Sequence, residues 1–194
     1  MLTLIALVTA CGTGTDPQSG QVATAPIENP GTPGAPSLLC PPGTSQDSGS
    51  SEEGVRYWCA KDGVFHGPFE GYHPDGEKSV SGAYFENEPD GSWIWWHPNG
   101  ATMQKGKYNK GKQTGSWTWW HPNGQRKEEG DYLHGRRQGQ WTTYYETGLK
   151  ESEGMYQNNM KTGAWIFYND DGENSVEVTR LYENDQVTKE KPGR

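Results

Sequence analysis

Three histidines, His73, His97 and His121, recur at a constant step of 24 residues, and each opens a cassette that continues through Pro74, Pro98 or Pro122 to Gly76, Gly100 or Gly124. Imidazole is a common metal ligand, so a ladder of equivalent histidines raises metal chemistry first. Distance argues against a shared ion. Equivalent residues on successive hairpins are two strands apart, about 9 to 10 Å at ordinary strand spacing, whereas zinc ligands each stand about 2 Å from the metal. Turn chemistry explains the cassette better. Proline presets its own backbone, Asp75, Asn99 or Asn123 tolerates the next position, and glycine accepts the left-handed conformation that closes a type I turn with a bulge. No metal and no other cofactor is expected.

A second set of residues could bind through ring faces. Eight of the nine tryptophans lie between Trp93 and Trp165. Trp93 and Trp95 alternate with Ile94 and Trp96, so in a strand aromatics point to both faces. Most rings are expected in the core, since large aromatics are usually well buried. Rings left open would mark a binding surface, and Trp95, Trp96, Trp119, Trp120, Tyr144 and Tyr168 are the candidates for a stacking platform. Their spacing is close to the disaccharide repeat of an extended glycan, which makes a cell-wall or capsule polysaccharide an alternative to a protein partner.

The elements that carry these residues follow from the period. Gly67, Gly91, Gly115, Gly139 and Gly163 keep the 24-residue step, each followed two places later by Phe69, Trp93, Trp117, Trp141 or Trp165. A fixed period of this size means stacked supersecondary units. Gly115-Ser-Trp-Thr-Trp-Trp120 has strand composition and runs into the turn at His121. A second strand then passes through Gly82, Gly106, Gly130 or Gly154 to Tyr84, Tyr108, Tyr132 or Tyr156. The mid-strand glycine marks a place where a neighbouring ring lies over the backbone. Ordering one such hairpin costs roughly 24 to 48 kcal/mol of backbone entropy, and each buried aromatic returns about 4 to 6 at most. A hairpin alone therefore unfolds, and the expected fold is all-β: an elongated single-layer antiparallel array of hairpins that cover one another. Gly172 to Tyr182 is two residues longer than its equivalents, the mark of a C-terminal cap.

Catalysis finds no frame. The sequence holds no Ser-His-acid elbow and no phosphate loop. Glu128, Glu129, Glu151 and Glu153 sit beside Lys127 and Lys150, where cross-strand charge pairing is the ordinary explanation. Net charge is −8, and residues 1–54 hold five acids and no Lys or Arg, leaving −8 minus −5, or −3, for the rest. That balance lacks the basic excess nucleic-acid binding needs.

Residues 1–10 contain an apolar run of the length of a signal-peptide core, too short to span a bilayer as a mature helix. Val8-Thr9-Ala10-Cys11 resembles a bacterial lipobox, which implies that Cys11 receives lipid and becomes the mature N-terminus. Secretory leaders carry positive charge before the apolar run, and here only Met1 precedes Leu2, so an upstream in-frame start with Lys or Arg would decide between a leader and the alternative, a chance apolar start ahead of an ordinary cytosolic cysteine. Residues 11–39 read as a flexible Gly/Pro/Ser/Thr tether behind the lipidated cysteine. With Cys11 used, Cys40 and Cys59 remain as an even pair in an exported chain. A bridge between them would close a Ser- and Gly-rich loop onto Val55–Trp58, contributing about 2 to 4 kcal/mol. A redox or metal pair is the alternative, weakened by long spacing and the lack of an adjoining third ligand.

The run Gly-x-Trp-x-Trp-Trp-His-Pro-Asn-Gly, followed by Gly106-Lys-Tyr108-Asn-Lys-Gly111-Lys-Gln-Thr-Gly115, resembles the bacterial variant of the MORN repeat, over about Gly63 to Tyr182. Proteins with this variant are often labelled YwqK-type antitoxins, and the resemblance implies an antiparallel hairpin array. The expected organisation is a signal peptide (1–10), lipidated cysteine and linker (11–39), a disulfide-closed cap (40–66), five repeats (67–186) and a loose tail (187–194). The expected function is non-enzymatic: an envelope lipoprotein, on the outer membrane facing the periplasm or the cell surface, whose array is a protein-interaction or structural surface. A glycan-binding module and an exported antitoxin or immunity-type protein are the alternatives.

Overall fold

A computed structural model of the chain describes residues 34–171 and 175–193. The apolar leader, Cys11, most of the linker and Gly172 lie outside the described residues. Thirteen strands follow one another: β1 (Ser45–Ser51), β2 (Gly54–Lys61), β3 (Val64–Tyr72), β4 (Lys78–Phe85), β5 (Glu88–Trp96), β6 (Thr102–Asn109), β7 (Lys112–Trp120), β8 (Arg126–Leu133), β9 (Arg136–Tyr144), β10 (Lys150–Gln157), β11 (Met160–Tyr168), β12 (Val176–Glu183) and β13 (Gln186–Pro192). They form one open sheet in chain order, each strand antiparallel to its neighbours. The expected all-β, single-layer hairpin array is the observed fold among the described residues.

The sheet has two kinds of end. At one, the His-Pro cassettes form the expected turns: Gly76 N donates to His73 O, Gly100 N to His97 O and Gly124 N to His121 O, each at 2.9 Å. Tyr145 to Gly148 closes in the same way. At the other end stand two-residue turns in which both central residues have positive φ, such as Lys110 and Gly111 at 47° and 73°. Asp62-Gly63, Glu86-Asn87, His134-Gly135, Asn158-Asn159 and Asn184-Asp185 share that geometry. This is the type I′ hairpin turn, whose twist matches that of the flanking strands.

Beyond each two-residue turn the register shifts. Asp90 pairs with Ala83 and Ile94 with Ser81, so Gly91, Ser92 and Trp93 together oppose Gly82. The bulge tips the Trp93 ring onto Gly82, and its indole N–H donates to Ala83 O at 3.2 Å. Trp117, Trp141 and Trp165 repeat the arrangement over Gly106, Gly130 and Gly154, donating to Lys107 O, Asp131 O and Met155 O. A Cβ on any of these four glycines would fall inside the ring above it. The result is burial in a sheet with no second layer: Trp117 and Trp141 are each 1% exposed. In the first hairpins the pair is altered, with Trp58 at the glycine position opposite Phe69.

Three expectations are corrected. The Ser- and Gly-rich stretch after Cys40 is strand β1, not a loop, because residues 45–51 pair along their whole length with β2. The end of the linker is held: Leu38 N donates to Gln46 Oε1 and Gln46 Nε2 to Pro36 O, each at 2.8 Å. Residues 187–192 of the tail expected to be loose belong to β13, whose pairing with β12 needs only backbone groups and is anchored by Arg180 and Glu190 at 2.6 Å. The Cys40–Cys59 disulfide is present. It ties residue 40 to a cysteine of β2 that is 1% exposed, and Pro41 lies against Gly67.

Gly106→Ala should lower stability by about 3 kcal/mol through overpacking, read as the urea midpoint. Ser92→Ala, at an exposed position, should leave the midpoint unchanged. Equal midpoints for the two variants would refute the ring-on-glycine account.

Candidate interaction surface

Strand alternation assigns the candidate aromatics to two faces. Trp95 and Trp119 join the face of the buried tryptophans. Ring centroids there step from Phe69 to Trp93 (5.7 Å), Trp95 (5.4 Å), Trp117 (5.9 Å), Trp119 (5.7 Å) and Trp141 (5.8 Å) with interplanar angles between 24° and 37°. Tyr84, Tyr108, Tyr132 and Tyr156 stand edge-on to this file. Trp96, Trp120, Tyr144 and Tyr168 alternate with these positions and lie on the opposite face. All six are half-buried. The single stacking platform expected from sequence is therefore not assembled: two of its rings are built into the file, and four form a separate row.

That row is tied down by charge. Lys105 Nζ stands 5.3 Å from the Trp120 ring centre. The Tyr144 hydroxyl donates to Glu129 Oε1 at 2.6 Å and the Tyr168 hydroxyl to Glu153 Oε1 at 2.5 Å. Tyr72 makes the same bond to Glu70. Glu153 also receives Lys150 at 2.9 Å. The Tyr168 hydrogen bond, helped by Lys150, holds the Glu153 carboxyl below its ordinary range. Burial, with the Glu153 carboxylate beside it, pushes the Tyr168 hydroxyl up to about 12.

The histidines are not brought together. His73 Nε2 lies 3.0 Å from Trp96 O, His97 Nε2 2.9 Å from Trp120 O, and His121 Nε2 2.9 Å from Tyr144 O. A carbonyl only accepts, so each ring donates through Nε2 to the repeat that follows it. Asn99 and Asn123 add side-chain bonds to Pro122 O and Glu146 O. Where histidine gives way to Tyr145, its hydroxyl reaches Tyr168 O at 2.8 Å. Pro74, Pro98, Pro122 and the glycines Gly76, Gly100 and Gly124 shape the turns that aim these groups.

Sequence reasoning missed the places where the ring file is interrupted. In the pairing register, Arg56, Gly71, Val80, Trp95, Gln104, Trp119, Glu128 and Thr143 follow one another across the sheet. Gly71 and Thr143 hold the positions that Trp95 and Trp119 fill in their repeats. Beside Thr143, the Arg137 guanidinium lies 4.2 Å from the Trp141 ring centre and pairs with Glu128 at 2.8 Å. Burial outweighs that partner and pushes the Glu128 carboxyl up. Lys161 sits 4.3 Å from Trp165 without an ion pair among the described residues, and burial lowers its ammonium. The signal was available as a break in the 24-residue alignment: Gly71 against Trp95, and Thr143 against Trp119.

A family model described as the MORN repeat variant matches residues 89–110, 113–134 and 137–158. Each match begins just after a two-residue turn and ends within the next, so three consecutive units carry it. This is the repeat of a binding or structural module. Among curated proteins, none matches the chain.

Two outcomes follow from these contacts. His97→Ala should cost about 1 kcal/mol, the net worth of one hydrogen bond, while added zinc leaves the melting temperature of the unaltered chain where it was; a zinc-dependent rise would restore the metal ladder. The Tyr168–Glu153 pair contributes stability that is complete below the ordinary tyrosine value of 10.0 and lost as pH rises toward about 12. On the acid side it is present above the ordinary 4.5 and lost as pH falls through the depressed Glu153 value. Denaturation of Tyr168→Phe against the parent at acid, neutral and alkaline pH should show a shallower decline at both extremes, and parallel curves would contradict the pairing.

Proposed function

We propose that this chain is a non-enzymatic, lipid-tethered protein of the bacterial envelope whose repeat sheet docks a protein partner through the face bearing Trp96, Trp120, Tyr144 and Tyr168. Cys11, at the end of the apolar leader, carries the lipid, and residues 12–33 tether the sheet. Exposure to an oxidising compartment is consistent with the Cys40–Cys59 bridge.

The observation that supports the docking face is the row itself. Four half-buried rings recur at the repeat step with Lys105, Glu129 and Glu153 already fixed beside them. Apolar rings among oriented charges are what the centre of a protein interface uses, with aromatics as anchors and charges selecting the partner. A polysaccharide stacked along this row fits less well, because Lys105 stands over the Trp120 ring and the two tyrosine hydroxyls are spent on carboxylates. The antitoxin reading draws no support from the repeat match, since fold does not carry activity.

Two measurements test the proposal. Cys11→Ser should abolish incorporation of a labelled fatty acid and release the chain from the membrane fraction. A photo-crosslinking residue replacing Trp120 in intact cells should trap one protein species, lost on Trp96→Ala. Membrane retention without Cys11, or trapping indifferent to Trp96, would defeat the corresponding half.

A further inference from the structure

Two adjoining hollows, of about 510 and 470 Å³, open on the tryptophan face at its N-terminal end, and both are lined by Arg56, Phe69 and Tyr84. Their origin lies in the repeat. Gly71 occupies the position of Trp95 and Trp119, so the ring that would continue the file is missing. Val80 narrows the gap, its Cγ1 2.6 Å from where a Gly71 Cβ would stand, and Arg56 Cγ borders it at 3.5 Å from the same point. One hollow continues onto Trp93, Trp95 and Tyr108, the other onto Trp58, Phe65 and Ser51.

Three features of this place point to one ligand chemistry. The lining presents partly exposed aromatic surface from Trp58, Phe65, Tyr84, Trp95 and Tyr108, against which the C–H groups of a pyranose can pack. The hydroxyls of Tyr84 and Tyr108 make no hydrogen bond to the protein among the described residues, unlike those of Tyr72, Tyr144 and Tyr168 on the other face. Arg56 is a cation with a weak claim on it: its ion pair, with Glu53 at 3.2 Å, joins side chains 49% and 79% exposed, a geometry worth little in water. A guanidinium grips a carboxylate through two parallel hydrogen bonds, so Arg56 can exchange Glu53 for a ligand acid. A peptide fits less well, because the backbone groups of β2 to β5 are paired within the sheet except at the bulges, which leaves no continuous edge to align a chain.

We infer that this hollow binds an acidic sugar residue, a carboxylate-bearing pyranose of an anionic polysaccharide, with Arg56 on the carboxylate, the exposed part of Trp95 against the ring, and Tyr84 and Tyr108 on ring hydroxyls. Of the proposed protein-docking row only Trp96 also borders the hollow, and the inference does not depend on that row.

The test uses the whole chain in detergent, titrated with an oligogalacturonate and with a neutral cello-oligosaccharide of equal length, read by tryptophan fluorescence and calorimetry. The oligogalacturonate should bind, the neutral sugar at least tenfold more weakly. Arg56→Gln should weaken the acidic ligand by tenfold or more, in line with a lost charge-assisted bond, and make the two sugars bind alike. Its half-exposed position leaves the fold intact, checked by an unchanged urea midpoint. Tyr84→Phe should weaken both sugars a few-fold, and Trp120→Ala, on the other face, neither. Absent binding, equal binding of both sugars, indifference to Arg56, or tighter Arg56-dependent binding of a short peptide with a free C-terminal carboxylate would each overturn the inference.

Discussion

Everything in this sheet depends on a glycine left bare so that the indole of the next hairpin can lie on it. A single antiparallel layer has no opposing surface to bury its side chains against, and in water a lone hairpin is marginal at best. Here the missing layer is supplied sideways. The bulge at Gly91, Ser92 and Trp93 swings the ring back across Gly82, and the same device recurs at Gly106, Gly130 and Gly154. Each indole N–H then finds a backbone carbonyl of the strand it covers. The polar atom of the buried ring is satisfied by the contact that buries it.

Both ends of the sheet carry the same logic. At the His-Pro end each imidazole reaches a carbonyl 23 residues ahead. At the type I′ end Gly111 N reaches Pro89 O and Gly135 N reaches Gln113 O, each at 2.9 Å. Arg137 N and Lys161 N find the side chains of Asn159 and Asp185, each at 2.6 Å. Hairpins are therefore joined by rings in the middle and hydrogen bonds at the margins. The side chains outside this framework lie on the outer row and around Arg56.

Much of this was legible in the residues. The 24-residue step of Gly67 and Trp93 and their equivalents encodes the hairpin count, and Pro74, Pro98 and Pro122 encode the bulged turns, because those residues are constrained by sterics alone. The type I′ turns are not legible there. Their central pairs vary from Lys110-Gly111 to Asn158-Asn159, and the shared property is a positive φ rather than a residue type. Strands β1 and β13 have the composition of loop and tail because Ser, Gly and Lys say little about pairing, and it is the neighbour's open edge that orders them. The face assignment of Trp95 against Trp96 follows from alternation, yet the consequence of Gly71 appears only once the hollow between Val80 and Arg56 is seen.

Native-state hydrogen exchange of backbone amides tests most directly whether the hairpins hold only through one another. The account predicts that the interior strands β5 to β10 exchange through a common opening, with one free energy equal to that of global unfolding. Distinct free energies for successive hairpins, each opening alone while its neighbours stay protected, would contradict it.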